Sequence, residues 1–189
     1  MNKRKVIVYI AMSLDGYIAG EGDDLSFLSI VEQEGEDYGY HAFVDTIDTV
    51  IIGRKTYDWV CKQGIIPHED KTLYIITRNP QLSETSSRYY SGDLYELMKR
   101  LQSEQGKDIY CDGGADLIDS LLKLEMIDEC IISIIPTIVG GGTPLFRNHH
   151  DIQFNLLGST SFSSGLVQVH YALKYPNIVS SWQSNKLVN

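Results

Sequence analysis

The sequence predicts a three-layer α/β domain on a mixed, mainly parallel sheet that closes with an antiparallel C-terminal hairpin. Two patterns carry this reading. As far as Leu124, short continuous apolar runs alternate with helical periodicities, the signature of parallel strands covered on both faces and joined by crossover helices. Beyond that point the alternation stops. Phe154–Phe162 and Leu166–Tyr175 face each other across Ser163-Ser164-Gly165, a plausible hairpin turn.

Taken in order, Val6 to Met12 is a continuous apolar run suited to a central strand. Ser13 to Glu36 reads as a loop, and a loop that long inside a compact domain tends to be functional. Asp37 to Asp48 reads as a helix with Tyr40, Phe43, Val44 and Ile47 on one side. Thr49–Ile52 is a buried strand that ends at Gly53, and Lys55–Cys61 is the helix after it. Leu73–Thr77 is the next strand, stopped by Asn79-Pro80. Asp93 opens a helix over Leu94–Gln105, with Glu96 at capping-box spacing. Ile109–Cys111 is a strand that meets Gly113-Gly114, and Ala115–Leu124 is a helix burying Leu117, Ile118, Leu121 and Leu122. Ile127–Val139 is β-like apart from Pro136. In the last strand Val167, Val169, Tyr171, Leu173 and Tyr175 alternate with Gln168, His170, Ala172 and Lys174, which predicts one buried and one wetter face.

Composition bounds the function. A chain of 189 residues, 43% hydrophobic and 22% charged, has enough for one core but not two. One domain is expected over residues 1–175, with a loose tail over 176–189. The formal charge of −9 argues against nucleic acid or an anionic membrane as partner, so any bound anion must be held by a local cluster of cations. Cys61, Cys111 and Cys130 form no CxxC pair, which predicts reduced thiols in a cytoplasmic protein and neither zinc nor a redox dithiol. The Asn2–Lys5 start before an apolar run imitates a signal peptide but leads to no cleavage site. His149 and His150 lack a nearby third ligand and are expected at the surface.

The segment Ile51 to Tyr57 carries the most chemistry. A strand ends, Gly53 turns the chain, and Arg54, Lys55 and Thr56 open a helix whose unpaired N–H groups suit a phosphate. A P-loop is excluded, because Asp48 stands where its first glycine is needed and Arg54 separates Gly53 from Lys55. Thr77-Arg78 and Gly113-Gly114 mark two further strand ends. Ligands gather at the carboxyl ends of strands in open α/β sheets, so these three ends could surround one dinucleotide. No GxGxxG fingerprint is present.

The runs Ala11-Met12-Ser13-Leu14-Asp15-Gly16-Tyr17-Ile18-Ala19-Gly20, Val50-Ile51-Ile52-Gly53-Arg54-Lys55-Thr56-Tyr57 and Asp112-Gly113-Gly114-Ala115 resemble the family that unites dihydrofolate reductases with the reductase domain of bacterial riboflavin biosynthesis. Ile127-Asp128-Glu129, Ile135-Pro136, Gly140-Gly141-Gly142 and Pro144-Leu145-Phe146 are more similar to the riboflavin-reductase branch. The resemblance implies a dihydrofolate-reductase-like fold and an NADPH-dependent reduction of a small heterocyclic substrate. It also implies that Ala11, Met12, Ile18, Ala19 and Gly20 flank the nicotinamide, and that Gly53, Arg54, Lys55 and Thr56 hold the pyrophosphate. Thr77 and Arg78 would take the 2′-phosphate, while Gly113, Gly114, Ala115 and Asp116 would close on the pyrophosphate from the other side. It implies neither a metal nor a flavin.

On the substrate side the match thins. Asp37 aligns with the pterin-binding carboxylate of folate reductases and is the candidate catalytic residue, against the alternative of a solvated helix-start acid. Pro67-His68-Glu69-Asp70-Lys71 lacks the arginine that grips a folate tail. The zinc-deaminase motifs His-x-Glu and Pro-Cys-x-x-Cys are missing, as is an Asp-Asn-Pro-like loop for a sugar phosphate. Asp15 and residues 140–146 are further candidates for the substrate side. A true dihydrofolate reductase and a nucleotide-binding protein without catalysis remain alternatives. A homodimer is expected, partly from the resemblance and partly because a long edge hairpin needs a cover, with Tyr171, Tyr175 and Trp182 as aromatic area.

Overall fold

A strand with apolar residues on both sides must be covered on both faces, and β1 (Val6–Ser13) is. The computed structural model describes residues 3–79, 88–147 and 152–175. The expected tail, Trp182 and the His149-His150 pair lie outside them. The other strands of the main sheet are β3 (Ile47–Gly53), β4 (Thr72–Ile76), β5 (Arg88–Tyr90), β6 (Asp108–Cys111), β7 (Glu129–Ile135), β9 (Gln153–Ser161) and β10 (Val167–Lys174). A short pair, β2 (Tyr17–Ala19) and β8 (Thr143–Pro144), forms a second sheet. The main sheet has the order β5-β4-β3-β6-β1-β7-β10-β9. Strands from β5 to β7 run parallel, and β10 is antiparallel to both β7 and β9.

The period-2 alternation of buried strands divides the core. Val6, Val8, Ile51, Tyr74, Ile109 and Cys111 point to one side. There they meet Leu97, Met98 and Leu101 of α3 (Leu94–Ser103) and Leu117, Ile118, Leu121 and Leu122 of α4 (Ala115–Lys123). Ile7, Val50, Ile52, Leu73, Ile75 and Tyr110 point the other way. Phe43 of α1 (Tyr40–Val44) and Tyr57 of α2 (Arg54–Lys62) cover that side. A third cluster joins Phe27 and Val31, on a 3-10 turn over Ser26–Val31, to Ile135 and Leu166. The Asp93 carboxylate accepts the Glu96 N–H at 3.0 Å and caps α3 as the spacing predicted.

Four local expectations change. The helix expected over Asp37–Asp48 contracts to α1, because Tyr38 (φ 57°) and Gly39 (φ 85°) are left-handed and Ile47 is drawn into β3. The expected loop after β1 contains β2, which forms because the 143–144 segment pairs with it. β5 was not anticipated; it is three residues long and extends the edge beside β4. In β10, Val169 and Leu173 pack on the core, but Val167 is 39% exposed at the strand start. All of β9 is exposed.

The N-terminus is clamped by charge. Arg4, 5% exposed, donates to the Asp48 carboxylate, to Thr49 Oγ1 at 2.8 Å, to the Leu101 carbonyl at 3.2 Å and to the Lys107 carbonyl. Lys3 and Lys5 on either side pair with Asp128 (3.2 Å) and Glu129 (2.6 Å). Arg4 thus ties the start of β1 to three segments distant in sequence. Replacing Arg4 by Ala leaves buried carbonyls without a donor and should cost roughly 2–4 kcal/mol, less than a fully buried pair because Asp48 is partly wet. Urea denaturation checks this, and a loss under ~0.5 kcal/mol would refute the clamp.

Candidate active site

Two helices begin at the same place on the sheet. Gly53 ends β3 and starts α2; Gly114 follows β6 and starts α4. The Gly53 N–H donates to the Gly113 carbonyl at 2.7 Å, and the Gly114 N–H donates to Thr56 Oγ1 at 3.1 Å. Gly113 has φ 92°, a conformation costly for any other residue, and this turns its carbonyl toward β3. Neither helix has a side-chain cap, whereas α3 does. Two uncapped starts pointed at one locus present several N–H groups and the positive ends of two helix dipoles.

The surrounding charges suit an anion. Lys55 and Arg78 are exposed. Arg54 is held by both Asp58 oxygens at 2.7 Å, with its guanidinium 5.2 Å from the Tyr89 ring centre, so its charge is local but partly spent. Asp116, in the first turn of α4, pairs with Arg147, a cation the sequence reading did not include. Thr77 spends its hydroxyl on the turn at Asn79 and its N–H on the Tyr90 carbonyl. Ala115 is buried at the helix start.

The segment after β1 is fastened to residues 137–145. Asp15 accepts from the Ser13 hydroxyl (2.6 Å) and from the amides of Val139 (3.1 Å) and Gly140 (2.8 Å). These bonds, the Ser13 hydroxyl foremost, hold its carboxyl below the usual range. Both oxygens are used within the fold, so Asp15 joins two loops rather than facing a substrate. At Gly142 a side chain would stand 2.3 Å from the Ala19 carbonyl, so this approach requires glycine. Residues 140–142 thereby support Ala19 and Gly20, both buried, while Met12 and Ile18 pack on the main core.

A cavity of about 670 Å³ lies on the α1 side of the sheet. Tyr9 and Ala11 of β1, Ser133 and Ile135 of β7, Leu28, Val31 and Leu166 form its wall, and Asp37, Tyr38 and Tyr40 its rim. Gln168, expected on a wetter face, lies behind it within hydrogen-bond distance of Tyr9 Oη (2.9 Å), Ser133 Oγ (3.1 Å) and the Tyr38 carbonyl (3.1 Å). Asp37 accepts the N–H groups of Gly39 (2.9 Å) and His41 (3.0 Å) and pairs with the His41 ring. Those bonds, the His41 amide first, lower its carboxyl to about 2. It is an anion at neutral pH. Burial, aided by Asp112, pushes the Tyr40 phenol up to about 12, so it stays a neutral donor.

Sequence reasoning missed His68. Its Nε2 lies 2.9 Å from Asp112, which also accepts the Tyr110 hydroxyl at 2.6 Å, so the 66–71 loop braces the residue before Gly113. A single histidine in a polar loop offered no signal for this. Burial pushes the Cys111 and Cys130 thiols to about 12, which keeps them from acting as nucleophiles at neutral pH. Among the described residues no helix is long and apolar enough to cross a membrane.

Residues 4–168 match the model of the RibD C-terminal domain. The chain belongs to that family. Over 172 residues it is 38% identical to the Bacillus subtilis (strain 168) protein YwjB, itself uncharacterized, covering 89% of this chain and 98% of the relative. A putative riboflavin biosynthesis protein from Shewanella sp. PV-4 superposes with a TM-score of 0.83 at 29% identity, covering 90% of this chain and 99% of that one. Dihydrofolate reductase from Enterococcus faecalis, solved with NADP(H), gives 0.61 at 16% identity, with 89% and 94% covered. The dihydrofolate-reductase-like fold and its riboflavin-reductase branch are thus established for this RibD C-terminal domain protein.

The fold itself gives a reason for glycine at position 114. A Cβ there would lie 2.9 Å from Thr56 Oγ1, so the first conflict is with the protein itself rather than with a ligand. Gly114→Ala should destabilise by roughly 1–3 kcal/mol, the usual cost of overpacking. The same change in a Thr56→Ala background should cost under about 1 kcal/mol, since the clash is gone. Equal losses in the two backgrounds, read from urea curves, would place the conflict elsewhere.

Proposed function

We propose that this protein is an NADPH-dependent reductase of a small heterocyclic compound. The observation that carries the reading is that the cavity and the two uncapped helix starts lie toward the same, carboxyl ends of the parallel strands, with β1 contributing Ala11 to the cavity. A dinucleotide fits the donor set: its pyrophosphate would meet the amides after Gly53 and Gly114, with Lys55 and Arg147 nearby and Arg78 toward the 2′-phosphate. NADPH bound there would supply a hydride. The chain's own part is to bind and orient. Ala11 offers a flat wall without a side chain that would hold the two rings apart. Asp37, ionised but with both oxygens engaged by Gly39 and His41, adds a fixed negative charge at the rim that favours an amine or amidine, and is not suited to donate a proton. Tyr40 and Ser133 offer neutral hydroxyls to ring oxygens or nitrogens. Reduced cofactor should be consumed with heterocycles and not with dihydrofolate; binding without turnover across a heterocycle panel would favour a non-catalytic role.

Arg78→Ala should weaken NADPH binding by roughly 1.5–3 kcal/mol, the scale of a charge-assisted hydrogen bond, and barely change NADH. Calorimetry with equal losses for both would remove the 2′-phosphate role.

We also propose that two copies pair through β9. This edge strand is exposed along its whole length and carries Phe154, Leu156 (59%) and Leu157 (53%), a hazard unless covered. Phe146, 6.0 Å from the Phe154 ring, enlarges the patch, while the Tyr175 hydroxyl is spent on the Ile127 carbonyl. Light scattering coupled to size exclusion should give twice the single-chain mass of 21.3 kDa; the single mass would refute pairing.

A further inference from the structure

Charge is segregated around this site. Arg54, Lys55 and Arg78 lie at helix starts or strand ends, and Arg147 pairs with Asp116 in the first turn of α4. The cavity has none of them. Its described lining contains four carboxylates, Glu32, Glu34, Glu36 and Asp37, and no lysine or arginine. Asp37 is turned inward on its own backbone and on His41, whose ring is 86% exposed and points no cation into the cavity floor. The floor is largely apolar, from Ala11, Leu28, Val31, Ile135 and Leu166; Tyr9 spends its hydroxyl proton on the Tyr38 carbonyl, which leaves one hydroxyl there with a proton to donate. That hydroxyl is Ser133, 4% exposed, whose Oγ accepts from Gln168 and keeps its own proton to donate.

We propose that the compound taken by this cavity carries no phosphate and no net negative charge, and is a neutral or protonated amino-substituted heterocycle with an acceptor directed at Ser133. The inference rests on the reductase reading for the hydride but on the cavity alone for the substrate class. A phosphate entering the cavity would meet like charges within a Debye length and no cation to replace its water. A flat ring meets apolar wall on its face and the Ser133 donor at its edge. An exocyclic amine or amidinium meets the rim carboxylates. By this reading the protein acts on a dephosphorylated heterocycle, so a hydrolytic or deglycosylating reaction must precede it if its precursor is a nucleotide.

The test compares matched probes. Uridine, cytidine and guanosine, each with its 5′-monophosphate, and 2,4-diaminopyrimidine are titrated calorimetrically into the full chain, with and without NADPH. At low ionic strength each nucleoside should bind about tenfold or more tightly than its monophosphate, the scale of several carboxylates acting on a dianion across a wet cavity. The gap should shrink at high salt and in Glu32→Gln/Glu34→Gln, a pair whose carboxylates have no hydrogen bond or ion pair among the described residues. In Ser133→Ala the nucleosides should weaken while the gap persists. A monophosphate that binds as well as its nucleoside, or a gap unmoved by the double substitution, overturns the proposal. So does binding of NADPH with no probe bound, which leaves the reductase reading standing. Nucleoside preference without any NADPH binding does the reverse: it upholds the substrate class and removes the reductase.

Discussion

The Gly53 N–H to Gly113 carbonyl bond is the contact on which the rest of the site depends. β3 and β6 are neighbours in the sheet, but their following helices lie on opposite faces, so the strands part where the helices begin. A bond at that fork fixes how far apart the two helix starts can be. Thr56, by accepting the Gly114 amide, adds a second strut one turn along α2. His68 and Tyr110 hold Asp112 from behind. Each of these groups spends its polar capacity on backbone geometry, which leaves the uncapped amides as the groups with capacity to spare.

The cavity wall is held in a similar indirect way. Tyr38 sits at φ 57° and carries the 32–37 segment across the opening. Its carbonyl is within reach of the Tyr9 hydroxyl and Gln168, and its ring packs edge-on to Phe162 at 4.8 Å. The acidic rim is therefore attached to the C-terminal hairpin as well as to β1. A substitution at Phe162 or Ser164, which hold Tyr38 without lining the cavity, would reach the rim from outside it.

Much of the fold is legible in the sequence because buried parallel strands and amphipathic helices leave strong periodic marks. Val6–Met12, Leu73–Thr77 and the α4 positions Leu117, Ile118, Leu121 and Leu122 behave as their patterns say. What the sequence hides is set by partners far along the chain. β2 exists because residues 143–144 reach back to it, and the 37–48 helix is shortened by the strand that Ile47 joins. The glycine turns of the site are visible as residue types, but that Gly53 and Gly113 touch is not. Arg147 and Gln168 escape notice because a lone cation in a loop and a lone amide in a strand look the same whether they serve a site or face water. Asp37 is the instructive middle case: its place at the rim is legible, and its hold on two backbone amides, which fixes it as an anion, is not.

The central place of β1 has a consequence in time. It is synthesised before both of its neighbours, β6 and β7, which lie far downstream. At ~5–20 residues per second of ribosomal synthesis, roughly a hundred intervening residues leave it unpaired for about 5–20 s. Val6–Met12 is uncharged and rich in β-branched residues, a composition that zips onto like strands from other chains while it waits. Lys3, Arg4 and Lys5 immediately precede it. In the finished molecule they are clamps; on the nascent chain, before Asp48, Asp128 and Glu129 arrive, they are like charges that keep two such strands from meeting.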